Sequence, residues 1–486
     1  MKKQHIFIGS LLIIIVISFL GSCKKFLAEK VYTEYSPSTF VSTPDGINSL
    51  LVAAYGAEAI REYYARDYIY MINEFCTDEM DETGGGLEFQ AAVFTQFNWD
   101  PTNSIFEEVW SNNYVAIRNA NVVLDNIKNI KSLPPDEVSE FTAEARFIRA
   151  VAYVHLYYTF GPTPLIITAQ TIDLSPTRPT DSTFIQFVET ELTEAAANLP
   201  VTAASGKATK GAALGVLCKF YLNTKQWQEC VNTADEIIGL NQYSLFSDIT
   251  TLFAVQNNHN DEYIYYYPCV HAPAGYGNIT MAHCFPDNYP IQSNWVNFAA
   301  NFHVLTSLID SYASFDKRIK LIDTSYVNLA GKLIELNHDA QGNPLNLSAP
   351  FKYTPDPDAS GVDMANYIPM VRYADILLSK AEALNNLQGP NSESFTLIDM
   401  VRNRSGLPNL DLSQYNTSQE LNDEILQERE WEFVGEGLRR QDLIRMGKFI
   451  SSAQARGFNA KQYQTLYPIP QDEIQSNPKL TQNQGY

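Results

Sequence analysis

Basic residues are scarce in this sequence: 34 lysines and arginines stand against 55 aspartates and glutamates, which gives a formal net charge of −21 at pH 7. A surface this acidic repels the phosphate backbone of nucleic acids and lacks the basic footprint that holds proteins on anionic membranes. Long apolar runs are also lacking after residue 22, whereas a spanning helix needs about 20 apolar residues. These absences exclude nucleic acid as a partner and exclude a protein that crosses the membrane repeatedly.

Cysteine is sparse as well, with six residues in 486. None stands in CxxC spacing, and the histidines lack the spacing of helical metal ligands, so no metal site is predicted from them. Cys269 and Cys284 flank a loop rich in glycine, proline and aromatics and could form a disulfide in an oxidising compartment. Two free buried thiols are the alternative. Cys218 and Cys230 lie in apolar helical patterns and are predicted to be core residues.

The N-terminus has the order of a secretory signal. Lys2 and Lys3 precede an apolar run over residues 6–20, and Gly21-Ser22-Cys23 follows. A cysteine directly after small residues resembles a bacterial lipobox, in which residues 1–22 are removed and Cys23 receives lipid. An uncleaved anchor, or an ordinary signal in which Cys23 is incidental, is the alternative. With the lipid, the protein would work tethered at a membrane surface.

Helical periodicity dominates the rest of the chain. Apolar residues recur at three-and-four spacing in several stretches, for example at Ile117, Ala120 and Leu124. Pro135 with acids after it predicts a helix start, Gly161 predicts its end, and Thr417 with Glu420 has the spacing of a capping box. Three of the helices also resemble one another, with small residues alternating with large ones, as in tetratricopeptide-type pairs. The predicted fold is therefore mainly α, a tetratricopeptide-like helical scaffold with a long loop-rich region that contains a few short strands.

Residues 241–370 have a different composition, in which glycine, proline, asparagine and aromatics crowd together. A shorter insert of the same kind spans residues 78–98. Long loops inside an ordered domain are usually functional. We therefore divide the chain into a signal peptide (1–22), an N-terminal helical part (23–240), a loop-rich ligand-binding region (241–370) and a C-terminal helical part (371–486), with 23–486 forming one globular unit.

The loop aromatics carry the functional signal. One face of a sugar ring presents C–H groups, and an exposed aromatic face meets them without needing a charge. An asparagine or aspartate nearby can add hydrogen bonds. Each such ring could instead cover the core beneath its loop. The candidate ligand-binding residues are Trp295, Tyr276, Tyr289, Phe285, Phe89, Asp78 and Asn294.

Acidic residues form clusters that could be read as catalytic or metal-binding. Glu428 and Glu432 lie one helical turn apart, but the arginines among them favour a structural ion-pair network. Two acidic stretches could offer oxygen ligands to calcium, although neither has the spacing of a calcium loop and a solvated acidic loop is the alternative. They are Asp356, Asp358 and Asp363, and Asp78, Glu79, Asp81 and Glu82. No Ser/His/Asp order, phosphate loop or HExxH motif is present. The sequence therefore predicts no catalytic residue and no cofactor, with calcium left open.

Several stretches together resemble the SusD/RagB family of lipoproteins. They occur in order between Cys23 and Tyr486: residues 143–150, 372–383, 425–433 and 467–470. The resemblance implies an outer-membrane lipoprotein, facing the exterior, that binds oligosaccharides or similar nutrients such as peptides. It also implies a partner, a SusC-like TonB-dependent transporter, to which the ligand is delivered without catalysis. A lid or scaffold for the transporter with no ligand of its own is an alternative, and a glycan hydrolase, which needs two facing carboxylates, is another.

Overall fold

The computed structural model describes residues 40–58, 63–171, 173–272, 275–299 and 302–486. The predicted signal peptide and Cys23 lie outside the described residues. Within that part of the chain, no helix is both long and apolar enough to cross a membrane.

Helices form about half of the described structure. Their bounds are α1 Pro44–Glu58, α2 Glu88–Thr95, α3 Ser104–Asn126, α4 Pro135–Phe160, α5 Asp181–Asn198, α6 Lys210–Asn223, α7 Trp227–Gly239, α8 Thr280–Cys284, α9 Thr306–Ser311, α10 Tyr373–Gln388, α11 Ser392–Arg404, α12 Ser418–Phe433, α13 Arg439–Arg445, α14 Phe449–Ala455 and α15 Gln471–Ser476. A π-helical segment, Tyr63–Ile72, follows α1. Short 3-10 turns occupy Ile127–Asn129, Val255–Asn257, Lys317–Leu321, Leu412–Gln414 and Gln462–Thr465.

Consecutive helices pack against each other and build the scaffold. Helix α3 packs on α4, α4 on α5, α5 on α6 and α6 on α7, while α10 packs on α7, α11 and α12. The predicted helix signals are confirmed: α4 begins at Pro135 and ends before Gly161, whose φ is 74°. Thr417 and Glu420 form the predicted capping box at the start of α12. The mainly α, tetratricopeptide-like fold predicted from the sequence is confirmed.

Between α7 and α10 the chain forms loops with short strands, and one further strand, β1 (Met80–Glu82), lies in the first insert. The strands are β1 Met80–Glu82, β2 Tyr263–Tyr267, β3 Phe302–Val304, β4 Ile322–Asp323, β5 Ser325–Val327, β6 Leu333–Glu335, β7 Ala349–Pro350 and β8 Ile368–Arg372. They pair as four antiparallel two-stranded sheets, β1 with β3, β2 with β8, β4 with β7 and β5 with β6. The β1–β3 pair joins the first insert to the loop-rich region, with Asp81 opposite His303.

Gly215 explains how closely the β2–β8 sheet approaches the scaffold. A Cβ atom at Gly215 in α6 would lie 2.9 Å from Val371 Cγ1 and 3.3 Å from Ile264 Cγ2. The sequence interpretation assigned the small residues of this helix to helix–helix contacts. At this position the glycine instead lets a helix approach a sheet, so it fixes the loop-rich region to the scaffold.

Candidate functional site

Five aromatic rings from the loop-rich region pack into one cluster, which we call the aromatic platform: Phe285, Tyr289, Trp295, Tyr326 and Phe351. Trp295 stacks on Phe285 with ring centroids 5.7 Å apart and planes 9° from parallel. Tyr289 stacks on the same ring at 5.8 Å and lies 5.2 Å from Phe351 and 5.4 Å from Tyr326. Phe285 is fully buried, whereas the other four rings are half-buried. Phe285 therefore supports the platform from below, and the other four can offer ring surface to a ligand.

The polar ends of these rings are oriented by neighbouring oxygens. The Tyr289 hydroxyl donates to Asp323 Oδ2 at 3.2 Å, and the Tyr326 hydroxyl donates to the carbonyl of Asp287 at 2.5 Å. Burial, followed by the charge of Asp323, raises the pKa of Tyr289 to about 12. Both hydroxyls are therefore neutral donors at physiological pH. The Trp295 Nε1 donor is shielded from solvent and has no hydrogen-bond partner among the described residues.

Residues 356–364 form a loop that holds three of the predicted site positions, Tyr276, Asn294 and Trp295, and we call it the bracing loop. On one side, Asp363 accepts hydrogen bonds from the backbone N–H groups of Gly275 (3.2 Å) and Gly277 (3.1 Å). Asn278 pairs with Met364 through backbone hydrogen bonds of 2.8 and 3.1 Å. Gly277 is required there, because a Cβ atom would lie 2.4 Å from Asp363 Cβ. These contacts fix the backbone on both sides of Tyr276, whose side chain is 65% exposed.

The other side of the bracing loop holds Asn294 and Trp295. The Asn294 side chain donates from Nδ2 to the carbonyl of Ala359 at 2.6 Å, and the Asn294 backbone carbonyl accepts from the Gly361 N–H at 2.7 Å. Trp295 forms a β-bridge with Gly361. Tyr276, Asn294 and Trp295 are thus held by one loop, and Trp295 links them to Phe285 and Tyr289.

The acids of the bracing loop perform this bracing and are not gathered for a cation. Asp356 accepts from the N–H groups of Asp358 (3.0 Å) and Ala365 (3.1 Å), and it pairs with His271 at 3.1 Å. No group of three histidine, cysteine or acidic side chains suited to a metal occurs among the described residues. Asp356 and Asp363, two of the carboxylates that the sequence offered for calcium, therefore have structural partners.

Phe89 and Asp78 lie apart from the platform in the described contacts. Phe89 projects from α2 with 86% of its surface exposed. Asp78 receives Arg439 Nε at 2.7 Å and Arg439 Nη2 at 3.1 Å, and Ser452 donates to the same carboxylate at 3.0 Å. A carboxylate with three donors has little remaining capacity for a sugar hydroxyl. Phe89 keeps an exposed ring, and no described contact places it at the platform.

A cleft of about 660 Å³ lies beside the first insert. Its walls include Asp81 and Thr95 from the insert, His338 from the loop-rich region, and Arg456 and Phe458 from the C-terminal part. Burial raises the pKa of Asp81 to about 6. Burial, followed by the charges of Glu88 and Asp81, raises the pKa of the adjacent Glu82 to about 8.

The C-terminal acids and arginines form a closed, buried ion-pair network, as the sequence predicted. Arg372 Nη1 lies 2.5 Å from Glu262 Oε1 and 3.0 Å from Glu432 Oε1, and its Nη2 lies 2.8 Å from Glu436 Oε1. Burial alone would raise the pKa of Glu432, but Arg404 and Arg372 lower it to about 2. A carboxylate held ionised in this way is a poor general acid. Since Glu262 directly precedes β2, the network also ties the loop-rich region to the C-terminal helices.

The five cysteines of the described residues are free and buried. The disulfide considered between Cys269 and Cys284 is therefore not formed, and the alternative of two buried thiols describes them. Burial raises the pKa of Cys269 to about 12, so its thiolate is not available at neutral pH.

Tyr326 and Phe351 belong to the platform but were missed by the sequence interpretation. Tyr326 lies in β5, and Phe351 directly follows β7. Both are single aromatics in short runs without clear periodicity. Only the pairing of these strands, with Ile322 opposite Pro350 and Tyr326 opposite Ile334, places them beside Tyr289.

The scaffold and the platform define a helical-repeat protein that carries an aromatic surface site on inserted loops. Two sequence profiles match separate parts of the chain: "SusD family" over residues 351–486 and "Starch-binding associating with outer membrane" over residues 25–222. The chain belongs to the SusD/RagB family.

Full-length similarity supports this membership. SusD-like protein P25 of Formosa agariphila is 24% identical, with 100% of both chains covered. Starch-binding protein SusD of Bacteroides thetaiotaomicron is 24% identical over 81% of this chain and 80% of its own. The solved structure of a laminarin binding SusD-like protein is 25% identical, covers 91% of this chain and 99% of its own, and superimposes with a TM-score of 0.77.

Proposed function

We propose that this protein is an outer-membrane lipoprotein that binds oligosaccharides at the aromatic platform and delivers them, without cleaving them, to a SusC-like TonB-dependent transporter. The observation that carries the proposal is the platform itself, in which Tyr289 and Trp295 stack on Phe285. One bracing loop holds Asn294 and the backbone on both sides of Tyr276. Half-buried rings flanked by neutral donors suit the C–H face and hydroxyls of a sugar. The relatives include starch-binding and laminarin-binding proteins, which supports a glycan as ligand.

The expected affinity is modest. One well-placed aromatic contact contributes about 0.5–1.5 kcal/mol beyond burial. Three rings with a few hydrogen bonds give about 4 kcal/mol, which corresponds to a millimolar Kd. Such binding becomes useful when receptor and transporter are held together, because tethering raises the effective concentration of captured ligand. Lipid attachment at Cys23 would supply that tethering to the membrane.

The absence of catalysis is also part of the proposal. The paired carboxylates of the C-terminal part are held in ion pairs by Arg372 and Arg318, which suits a structural role. Isothermal titration calorimetry with soluble starch and laminarin tests the binding, and chromatography of the recovered glycan tests whether it is intact. Failure to bind any neutral glycan, or recovery of shortened product, would contradict the proposal.

Lipid attachment has its own test. Cells expressing the full chain are extracted with a detergent that separates into two phases, and the wild type is expected in the detergent phase. Cys23→Ala is expected in the aqueous phase, with Cys269→Ala as the matched cysteine control. Equal partitioning of the wild type and Cys23→Ala would contradict lipid attachment at Cys23.

A further inference from the structure

The sequence around the platform is devoid of basic residues. From Gln226 to Asp316, which includes Phe285, Tyr289 and Trp295, there is neither lysine nor arginine, although the whole chain has 34. Aspartate and glutamate do occur throughout this stretch, among them Asp287 and Asp310. The segment that supplies most of the platform therefore carries only negative formal charge, apart from its histidines.

The elements packed against the platform add further negative charge. Asp287 is exposed, and its backbone carbonyl holds the Tyr326 hydroxyl. Asp323 is half-buried and holds the Tyr289 hydroxyl, and burial raises its pKa. Glu335 in β6 and Asp358 in the bracing loop are both exposed.

The cations nearest along the chain do little to offset these acids. Lys352 follows Phe351 directly but is buried, and it pairs with Glu436. Arg318, which precedes β4, is buried and paired with Asp316 and Glu428. Lys332 is exposed at the tip of the β5–β6 hairpin, where the Leu329 N–H donates to the Asn288 carbonyl at 3.1 Å. Lys317 and Lys320, just before β4, are also exposed, and they lie close enough to Asp248 to interact with it electrostatically. These three exposed lysines are outnumbered by Asp287, Asp323, Glu335 and Asp358 around the platform.

We infer that the platform is selective for uncharged glycans and discriminates against polyanionic ones, such as uronate-rich or sulfated polysaccharides. Like charges brought together at a binding surface oppose association and suppress the wrong partner, while a neutral sugar meets the rings without this cost. Repulsion between solvent-exposed charges is screened within about 8 Å at physiological ionic strength, so the discrimination depends on salt. The inference rests on the proposed glycan-binding function and specifies its ligand class.

The test compares each neutral polymer with its own carboxymethylated form, so that only charge differs. Soluble starch, laminarin and their carboxymethyl derivatives are cast into native gels at low salt, and the retardation of the protein gives a Kd for each. For a neutral polymer that binds, the carboxymethylated form is expected to have a Kd at least about tenfold higher. The ratio of the two Kd values should become smaller in 0.5 M NaCl. The charge-reversal variant Asp287→Lys should narrow the ratio at low salt, with Asp136→Lys on α4 of the scaffold as the matched control that leaves it unchanged.

The possible failures are distinguishable. Equal or tighter binding of the carboxymethylated form would overturn the selectivity while leaving glycan binding intact. If Asp287→Lys and salt both leave the ratio of the two Kd values unchanged, charge at the platform does not cause the selectivity. That result would also overturn the inference. Failure of every polymer in both forms would overturn the proposed function and this inference with it.

Discussion

The substitution Trp295→Ala tests whether the Trp295 ring binds ligand or only stabilises the core. Trp295 contributes one face of the platform, and loss of one aromatic contact worth about 0.5–1.5 kcal/mol weakens binding by roughly 2- to 12-fold. The backbone of the loop should stay in place, because the Trp295 N–H donates to the Gln292 carbonyl at 3.1 Å and the residue forms a β-bridge with Gly361. Reduced affinity in a folded protein is the expected result.

Some stability should be lost as well, because the ring is half-buried on Phe285. Removing a fully buried large aromatic side chain costs about 3–5 kcal/mol, so a half-buried ring should cost about 2 kcal/mol. With a typical unfolding entropy per residue, a loss of about 1 kcal/mol in unfolding free energy lowers the melting temperature of a 486-residue chain by about 1 °C. The melting temperature should therefore fall by about 2 °C.

Trp431→Ala is the matched control. Trp431 is also half-buried, with its ring 6.1 Å from Tyr312 and its Nε1 donating to Ser311 at 2.9 Å, and no described contact joins it to the platform. It should lose similar stability and no affinity in calorimetric titrations with the neutral glycan that binds the wild type. The reasoning is refuted if Trp295→Ala binds as tightly as the wild type, or if Trp431→Ala loses as much affinity.

Three further predictions concern stability. Arg372→Met leaves buried carboxylates unpaired, so it should lower the unfolding free energy by about 3–5 kcal/mol, and a urea midpoint equal to that of the wild type would contradict the network's role. The folded-state pKa of Glu82, about 8, is raised above the ordinary value of 4.5. The stability that Glu82 contributes to the fold is therefore fully present below pH 4.5 and is lost as the pH rises through 8. Melting temperatures measured from pH 5 to pH 8 should therefore fall less in Glu82→Gln than in the wild type, whereas the exposed Glu335→Gln should follow the wild type; parallel curves for all three would contradict this. Because Cys269 and Cys284 are free buried thiols, a thiol reagent should label neither before unfolding and reductant should leave the melting temperature unchanged; a reductant-induced fall would indicate a disulfide.

The scaffold could be predicted from the sequence because its signals are local. Pro135, Gly161 and the Thr417–Glu420 capping box mark helix ends through interactions between near neighbours in the chain. The existence of the ion-pair network could also be predicted, since acids and arginines alternate along α12. Its connection to Glu262 was not foreseeable, because that contact crosses 110 positions of sequence.

The site was only partly predictable for the same reason. Trp295 and Tyr289 stand out as loop aromatics, but Tyr326 reaches them only through strand pairing and Asp287. Asp78 was selected as a ligand-binding side chain because it lies in a loop-like insert, yet Arg439, 361 positions away, occupies its carboxylate. Composition can indicate which segments carry a site, whereas long-range pairing decides which of their side chains are available.

The most direct test of the central claim is a calorimetric titration of the folded chain, without its first 23 residues, against soluble starch and laminarin, followed by chromatography of the recovered glycan. We predict saturable binding with a Kd in the millimolar range or tighter, weakened by Trp295→Ala, and recovery of glycan of unchanged length. No heat of binding from either glycan, or recovery of shortened chains, would contradict the account.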